Sequence, residues 1–98
     1  MTSCRSSGVL TASSVITSER CKLISVHAQA TSSAPTTVKV FDNTAASGKE
    51  LVRIIVAPAP ESPAAIEFDM HGVIATNGLY LDISTGAGTG AAVSVEFN

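Results

Sequence analysis

From about residue 21 onward, apolar and polar side chains exchange places at nearly every second position, in runs too short for helices. The clearest run is Ala64 to Met70, where Ile66, Phe68 and Met70 alternate with Ala65, Glu67 and Asp69. Val93, Val95 and Phe97 alternate with Ser94 and Glu96, and Leu79, Leu81 and Ile83 with Tyr80 and Asp82. A period of two is that of a strand with one face wet and one face dry. No stretch of 11 or more residues carries the i, i+3, i+4, i+7 spacing of an amphipathic helix.

Four further runs fit the same reading. A loosely patterned strand is expected over Gly8–Thr17. The next covers Cys21–Ala30, with Ile24, Val26, Ala28 and Ala30 on one face and Leu23 on the other. Thr36–Phe41 places Val38 and Val40 inward and Lys39 outward. Lys49–Val56 places Val52, Ile54 and Val56 on one side, with Leu51, Arg53 and Ile55 opposite. Apolar residues on both faces of this run mark a central strand, or one whose outer face meets a partner.

Breakers stand between the runs. Asp42-Asn43-Thr44 and the following Ala45-Ala46-Ser47-Gly48 form a loop, and the prolines of Ala57–Pro63 remove the donors a paired strand needs. His71-Gly72 interrupts the fifth run, leaving Val73–Ala75 as a short extra strand. Thr76-Asn77-Gly78 is the strongest turn signal, and Thr85–Gly90 a Gly-rich turn. The expected fold is all-β, an antiparallel β-sandwich of about seven or eight strands over residues 8–98. Short connections require antiparallel pairing, but the strand pattern does not choose between an Ig-like and a jelly-roll-like order. Residues 1–7 read as a polar N-terminal arm.

Composition agrees. Ten Val, seven Ile and ten Thr outweigh five Leu, and β-branched side chains suit a pleated sheet. Ninety-eight residues fit one domain with a modest core. Only 14% of residues are charged while 45% are apolar; a soluble domain usually carries about 25% charge. Either Ser, Thr and Ala keep the surface wet, or partners cover part of it.

Several function classes fall away on the residue types. Six scattered Lys and Arg, none after Arg53, and a formal charge of −2 make a poor phosphate-binding surface, so no nucleic acid is expected. No apolar run nears the ~20 residues of a membrane span. The opening MTSCRSSGVL lacks the charged region and apolar stretch of a secretory signal. The chain is therefore expected to fold in a reducing cytoplasm, with Cys4 and Cys21 as free thiols.

Each chemical candidate has a simpler explanation. Cys4, Cys21, His27 and His71 show no CxxC or HxxxH spacing for a metal. Thr85–Gly90 lacks the features of the dinucleotide fingerprint and the P-loop, and a strand follows it. Asp69 and His71 are neighbours on one strand face without any catalytic role, and no G-x-S-x-G is present. His27 is expected on the solvent side or at an interface. Glu67, Asp69, Asp82 and Glu96 each oppose an apolar face and could form an acidic patch if their strands were adjacent; a solvated outer face explains them first. Asp42-Asn43-Thr44 serves the backbone of its turn. No catalytic, cofactor-binding or metal residue is assigned, and no enzyme is expected. The absence of Trp and the single Tyr80 weigh against a sugar-stacking platform.

Three stretches carry a resemblance. Cys21-Lys-Leu-Ile-Ser-Val-His27, Thr37-Val-Lys-Val-Phe-Asp-Asn43 followed by Ala46-Ser-Gly-Lys49, and Thr76-Asn-Gly-Leu-Tyr-Leu-Asp82 resemble small β-sandwich structural proteins of tailed bacteriophages, including capsid decoration or cement proteins. The likeness spans roughly residues 8–98 and lies in strand and turn signals. It implies a virion protein, made in the host cytoplasm, that binds the major capsid protein on the head surface as a dimer or trimer. Tail, baseplate or fibre modules are the alternative within that class, and a host-surface or glycan-binding domain the alternative outside it.

Overall fold

A computed structural model describes residues 5–30, 36–56, 65–85 and 91–98. Among these residues eight strands form: β1 Arg5–Ser6, β2 Ser14–Thr17, β3 Cys21–Ala30, β4 Thr36–Asp42, β5 Lys49–Val56, β6 Ala65–Ala75, β7 Leu79–Thr85 and β8 Ala91–Phe97. They make two four-stranded sheets, ordered β1-β8-β3-β6 and β2-β7-β4-β5. Every neighbouring pair is antiparallel. The pairs β1–β8, β2–β7, β3–β6 and β4–β5 are those of one long hairpin rolled into two layers. That is the jelly-roll order, and it differs from the Ig sandwich, in which strands ABED face CFG.

The core lies between the layers. Leu23, Val26, Val38, Val40, Val56, Leu79, Leu81, Val93 and Val95 are fully buried, and Ile54 nearly so. Burying each such side chain stabilises by about 1.5–3 kcal/mol relative to exposure. Val38 with Val40, Leu79 with Leu81, and Val93 with Val95 point inward as their alternation requires. So do Val52, Ile54 and Val56 on β5.

The register departs from simple alternation at defined places. In β3 the partner of Leu23 is Phe97 and that of Ser25 is Glu96, so Ile24 is an extra residue opposite β8. This bulge puts Cys21, Leu23, Val26 and Ala28 on the buried side and leaves Ile24 partly exposed. The even-position reading of β3 placed Ile24 inward and Leu23 outward; one inserted residue exchanges them.

β6 has a larger irregularity. Leu23 pairs with Val73 and Ser25 with Asp69, so residues 70–72 face Ile24 alone. His71 (φ 55°) and Gly72 (φ 79°) are both left-handed, and the strand then resumes. The expected break and short extra strand are thus one bulged strand. Phe68, expected in the core, is 40% exposed. Its cross-strand partner Val26 is buried, so Phe68 points to the core side, but β6 is the sheet's edge and leaves the ring half open.

The outermost strand at each of the four sheet edges is short or bulged. β1 has two residues. β2 has four, with Ile16 extra between Val15 and Thr17. β5 carries Leu51 as an extra residue opposite the Val40–Phe41 step. β5 is thus an edge strand and not the central one its apolar faces allowed, and Ile55 is 53% exposed. The Leu51 bulge also brings Arg53 and Glu50 onto one face, where Arg53 Nε and Nη2 donate to the Glu50 carboxylate at 2.6 and 3.0 Å. Bulges, short strands and edge charges deny a ready template to another strand.

Arg5 and Ser6, read from sequence as part of a polar arm, pair with Phe97 and Glu96, and the Arg5 guanidinium lies 4.8 Å from the Phe97 ring centre. The expected Gly8–Thr17 strand changes layers: Leu10 bridges Val93 in the first sheet, whereas Ser14–Thr17 joins the second. Met1 to Cys4, the Pro-rich segment and the Gly-rich turn at 86–90 lie outside the described residues.

Candidate functional site

The pleat of the first sheet decides which side chains meet on its outer face. Val26 and Ala28 on β3 and Val93 and Val95 on β8 turn inward. His27 and Gln29, and Ala92, Ser94 and Glu96, therefore turn out. β6 adds Glu67 and Asp69. The register sets them in rows: Ser25 beside Glu96 and Asp69, His27 beside Ser94 and Glu67, Gln29 beside Ala92.

A polar cluster forms at the centre of this face. The Ser25 hydroxyl donates a hydrogen bond to Glu96 Oε1. His27 Nε2 lies 3.3 Å from Ser25 Oγ and 3.3 Å from the same Glu96 oxygen. Glu67 Oε2 is 3.9 Å away on the other flank. Ser25 is 6% exposed and its hydroxyl is satisfied here. Hydrogen bonds from Ser25 and then His27 hold the Glu96 carboxyl below the usual glutamate range, against a smaller opposing effect of desolvation.

Ser, His and Glu together invite comparison with a nucleophilic triad, and the geometry answers it. A triad histidine accepts the serine proton on one ring nitrogen while the carboxylate holds the other. Here the Ser25 proton goes to Glu96, and both partners crowd the same nitrogen. That shared nitrogen departs from the triad arrangement, in which serine and carboxylate take opposite ring nitrogens. The cluster clips β3 to β8.

That clip has a pH signature. A carboxyl whose folded pKa is depressed adds stability that is fully present above its unfolded value, about 4.3, and lost as pH falls through the folded value. Urea midpoints of the wild type should fall on acidification from pH 5 toward 3 more steeply than those of Glu96→Gln. Parallel curves would show that Glu96 is not held in the folded state.

Beside the cluster lies an open depression of about 420 Å³. Its polar lining is His27, Gln29, Glu67 and Ser94; Val9 and Ala92 supply apolar wall, and Ile66, which pairs with inward-facing Ala28 and packs against the core, borders its floor. The small side chains of Ala92 and Ser94 leave the hollow, and Val9, 73% exposed, stands at its rim.

The remaining candidates fall elsewhere. Of the four carboxylates read as a possible patch, Glu67, Asp69 and Glu96 share this face. Asp82 is on the other sheet, paired across from Lys39 and 3.3 Å from Ser13 Oγ. Asp69 Oδ1 accepts the His71 backbone N–H at 2.9 Å and lies 3.5 Å from His71 Nδ1. Their proximity comes from the left-handed bulge, which the carboxylate caps. Asp42 Oδ1 accepts the Asn77 N–H at 2.7 Å, and Asn43 accepts the Thr44 N–H at 2.8 Å and donates to Ser47 O at 2.9 Å. Both serve loop backbone. Cys21 is a buried free thiol whose pKa is pushed up by burial; Cys4 lies outside the described residues. Among the described residues, no group of three His, Cys, Asp or Glu could hold a metal ion. No described helix is long and apolar enough to cross a membrane.

The Ser25–His27–Glu96 cluster was not foreseen from sequence. Alternation placed Ser94 and Glu96 together, but the bulge at Ile24 and the pairing of β3 with β8 were needed to bring Ser25 to them. Comparison with known proteins adds no relative: no family model, no curated protein and no solved structure matches this chain.

Proposed function

We propose that this chain is a structural protein that works by contact: a virion decoration protein that binds the major capsid protein and reinforces the head. The observation that carries the contact reading is strand β6. Phe68, Val73 and Ile74 are 40%, 37% and 47% exposed along this one edge strand, while the left-handed His71–Gly72 bulge interrupts its regular backbone ladder. Apolar side chains offered without an open backbone ladder suit docking through side chains more than strand addition.

Three things support the viral assignment. The jelly-roll order is used by viral capsid proteins, as well as lectins and cupins, an analogy at the level of fold alone. The Phe41-Asp-Asn and Asn77-Gly-Leu-Tyr stretches resemble phage structural proteins. Low charge suits a domain partly covered in an assembly. Binding only the assembled shell would stabilise that state by mass action, and repetition over symmetric sites would multiply a modest interface. Self-association as a dimer or trimer around local axes belongs to the same proposal.

Quantitative mass spectrometry of purified particles tests it. Hundreds of copies per virion are expected, together with heads that assemble without the protein but open at lower temperature. A handful of copies would move the protein to the tail. Absence from particles, or unchanged head melting, would overturn the decoration reading.

A further inference from the structure

We propose that the depression on the outer face of the first sheet receives a lysine or arginine side chain presented by the partner protein. This rests on the contact reading above and names the chemistry of one contact. The hollow of about 420 Å³ falls within the size range of small-ligand sites, enough for an extended side chain and the main chain that carries it. Its walls divide by chemistry. Val9 and Ala92 offer apolar surface to an aliphatic stem, which long cationic side chains bury readily. Glu67, Gln29 and Ser94 offer oxygen acceptors to the head group.

Charge selects the occupant. Among the described residues Glu67 is the one carboxylate in the lining; its side chain is 67% exposed, and it lies 3.9 Å from His27 Nε2, beyond hydrogen-bond length. Among the described residues no Lys or Arg lines the depression, and Glu96 and Asp69 on the adjoining row add negative charge to the same face. An anionic or purely apolar group would leave Glu67 unmatched or repelled. A guanidinium or ammonium meets both the carboxylate and the neighbouring acceptors.

The test uses the full chain, ¹⁵N-labelled, titrated with blocked arginine (acetyl-arginine N-methylamide). Blocked norleucine and a methyl glucoside serve as comparators. Arginine should shift the Gln29 and Ser94 amide resonances saturably and norleucine should not. Glu67→Gln should weaken binding about fivefold, the scale of one exposed ion pair, whereas Asp82→Asn on the opposite sheet should leave it unchanged. Equal shifts with norleucine or the glucoside, shifts mapping elsewhere, or indifference to Glu67→Gln would overturn the inference. Because Glu67 is exposed, the variant is expected to fold, and its amide spectrum checks this. The two proposals fail separately. Arginine binding by a protein absent from virions would sink only the decoration reading. A virion protein whose depression ignores arginine would sink only this one.

Discussion

Gly78→Ala is expected to destabilise the protein by about 3 kcal/mol or more, a large part of the 5–15 kcal/mol that holds a small domain together. Gly78 has φ 119°, where side chains other than glycine are strained. A Cβ built there would lie 2.4 Å from the Thr17 carbonyl oxygen and 3.2 Å from Ser18 Cα. Both are backbone atoms, so no rotamer change relieves the clash. The β2–β3 turn must move, and Thr17 is the residue that pairs with Leu79. Asp42, at the end of β4, holds Gly78's own β6–β7 turn by accepting the Asn77 N–H. Three connections therefore meet at one glycine. Gly8→Ala is the control: its φ is 72° but a Cβ meets nothing within 4 Å, so the cost should be the left-handed conformation alone, about 1 kcal/mol. Urea unfolding of both variants measures the difference. Equal losses would show that the turns do not touch.

The second large effect separates two adjacent residues. Leu23→Ala should cost about 3 kcal/mol, because a fully buried leucine leaves a cavity between the sheets. Ile24→Ala should cost about 1 kcal/mol, since the bulge keeps Ile24 only partly buried. Uninterrupted alternation from Val26 back along β3 demands the reverse order. Chemical-denaturation midpoints of the two variants therefore report whether the inserted residue is there. If Ile24→Ala proves the costlier, the register of β3 against β8 is wrong, and with it the meeting of Ser25 and Glu96.

Where sequence reading succeeded, each strand carried its own orientation. In β4, β7 and β8, valine or leucine at alternate positions faces a dry layer, and a shift by one residue would expose all of them at once. Where it failed, the cause was local and small. One extra residue at Ile24 inverted the start of β3, and Leu51 did the same to β5. His71 takes a left-handed backbone that few non-glycine residues accept, and no periodicity announces it. Phe68 has the right parity for the core; only its place at a sheet edge leaves it half exposed. The outer-face cluster was legible as separate outward positions but not as a site.

The alternation and the turn residues by themselves determined an all-β chain, most strand limits and the inward residues of the regular strands. These depend on each strand's own partition between water and core. Only the tertiary structure decided which strand lies beside which, where the bulges fall, and hence that Ser25, His27, Glu67 and Glu96 share a face. The reason is physical: ladder hydrogen bonds use backbone groups that every residue but proline carries alike. A strand's own pattern therefore cannot name its neighbour, and a rolled hairpin pairs Arg5 with Phe97 across nearly the whole chain.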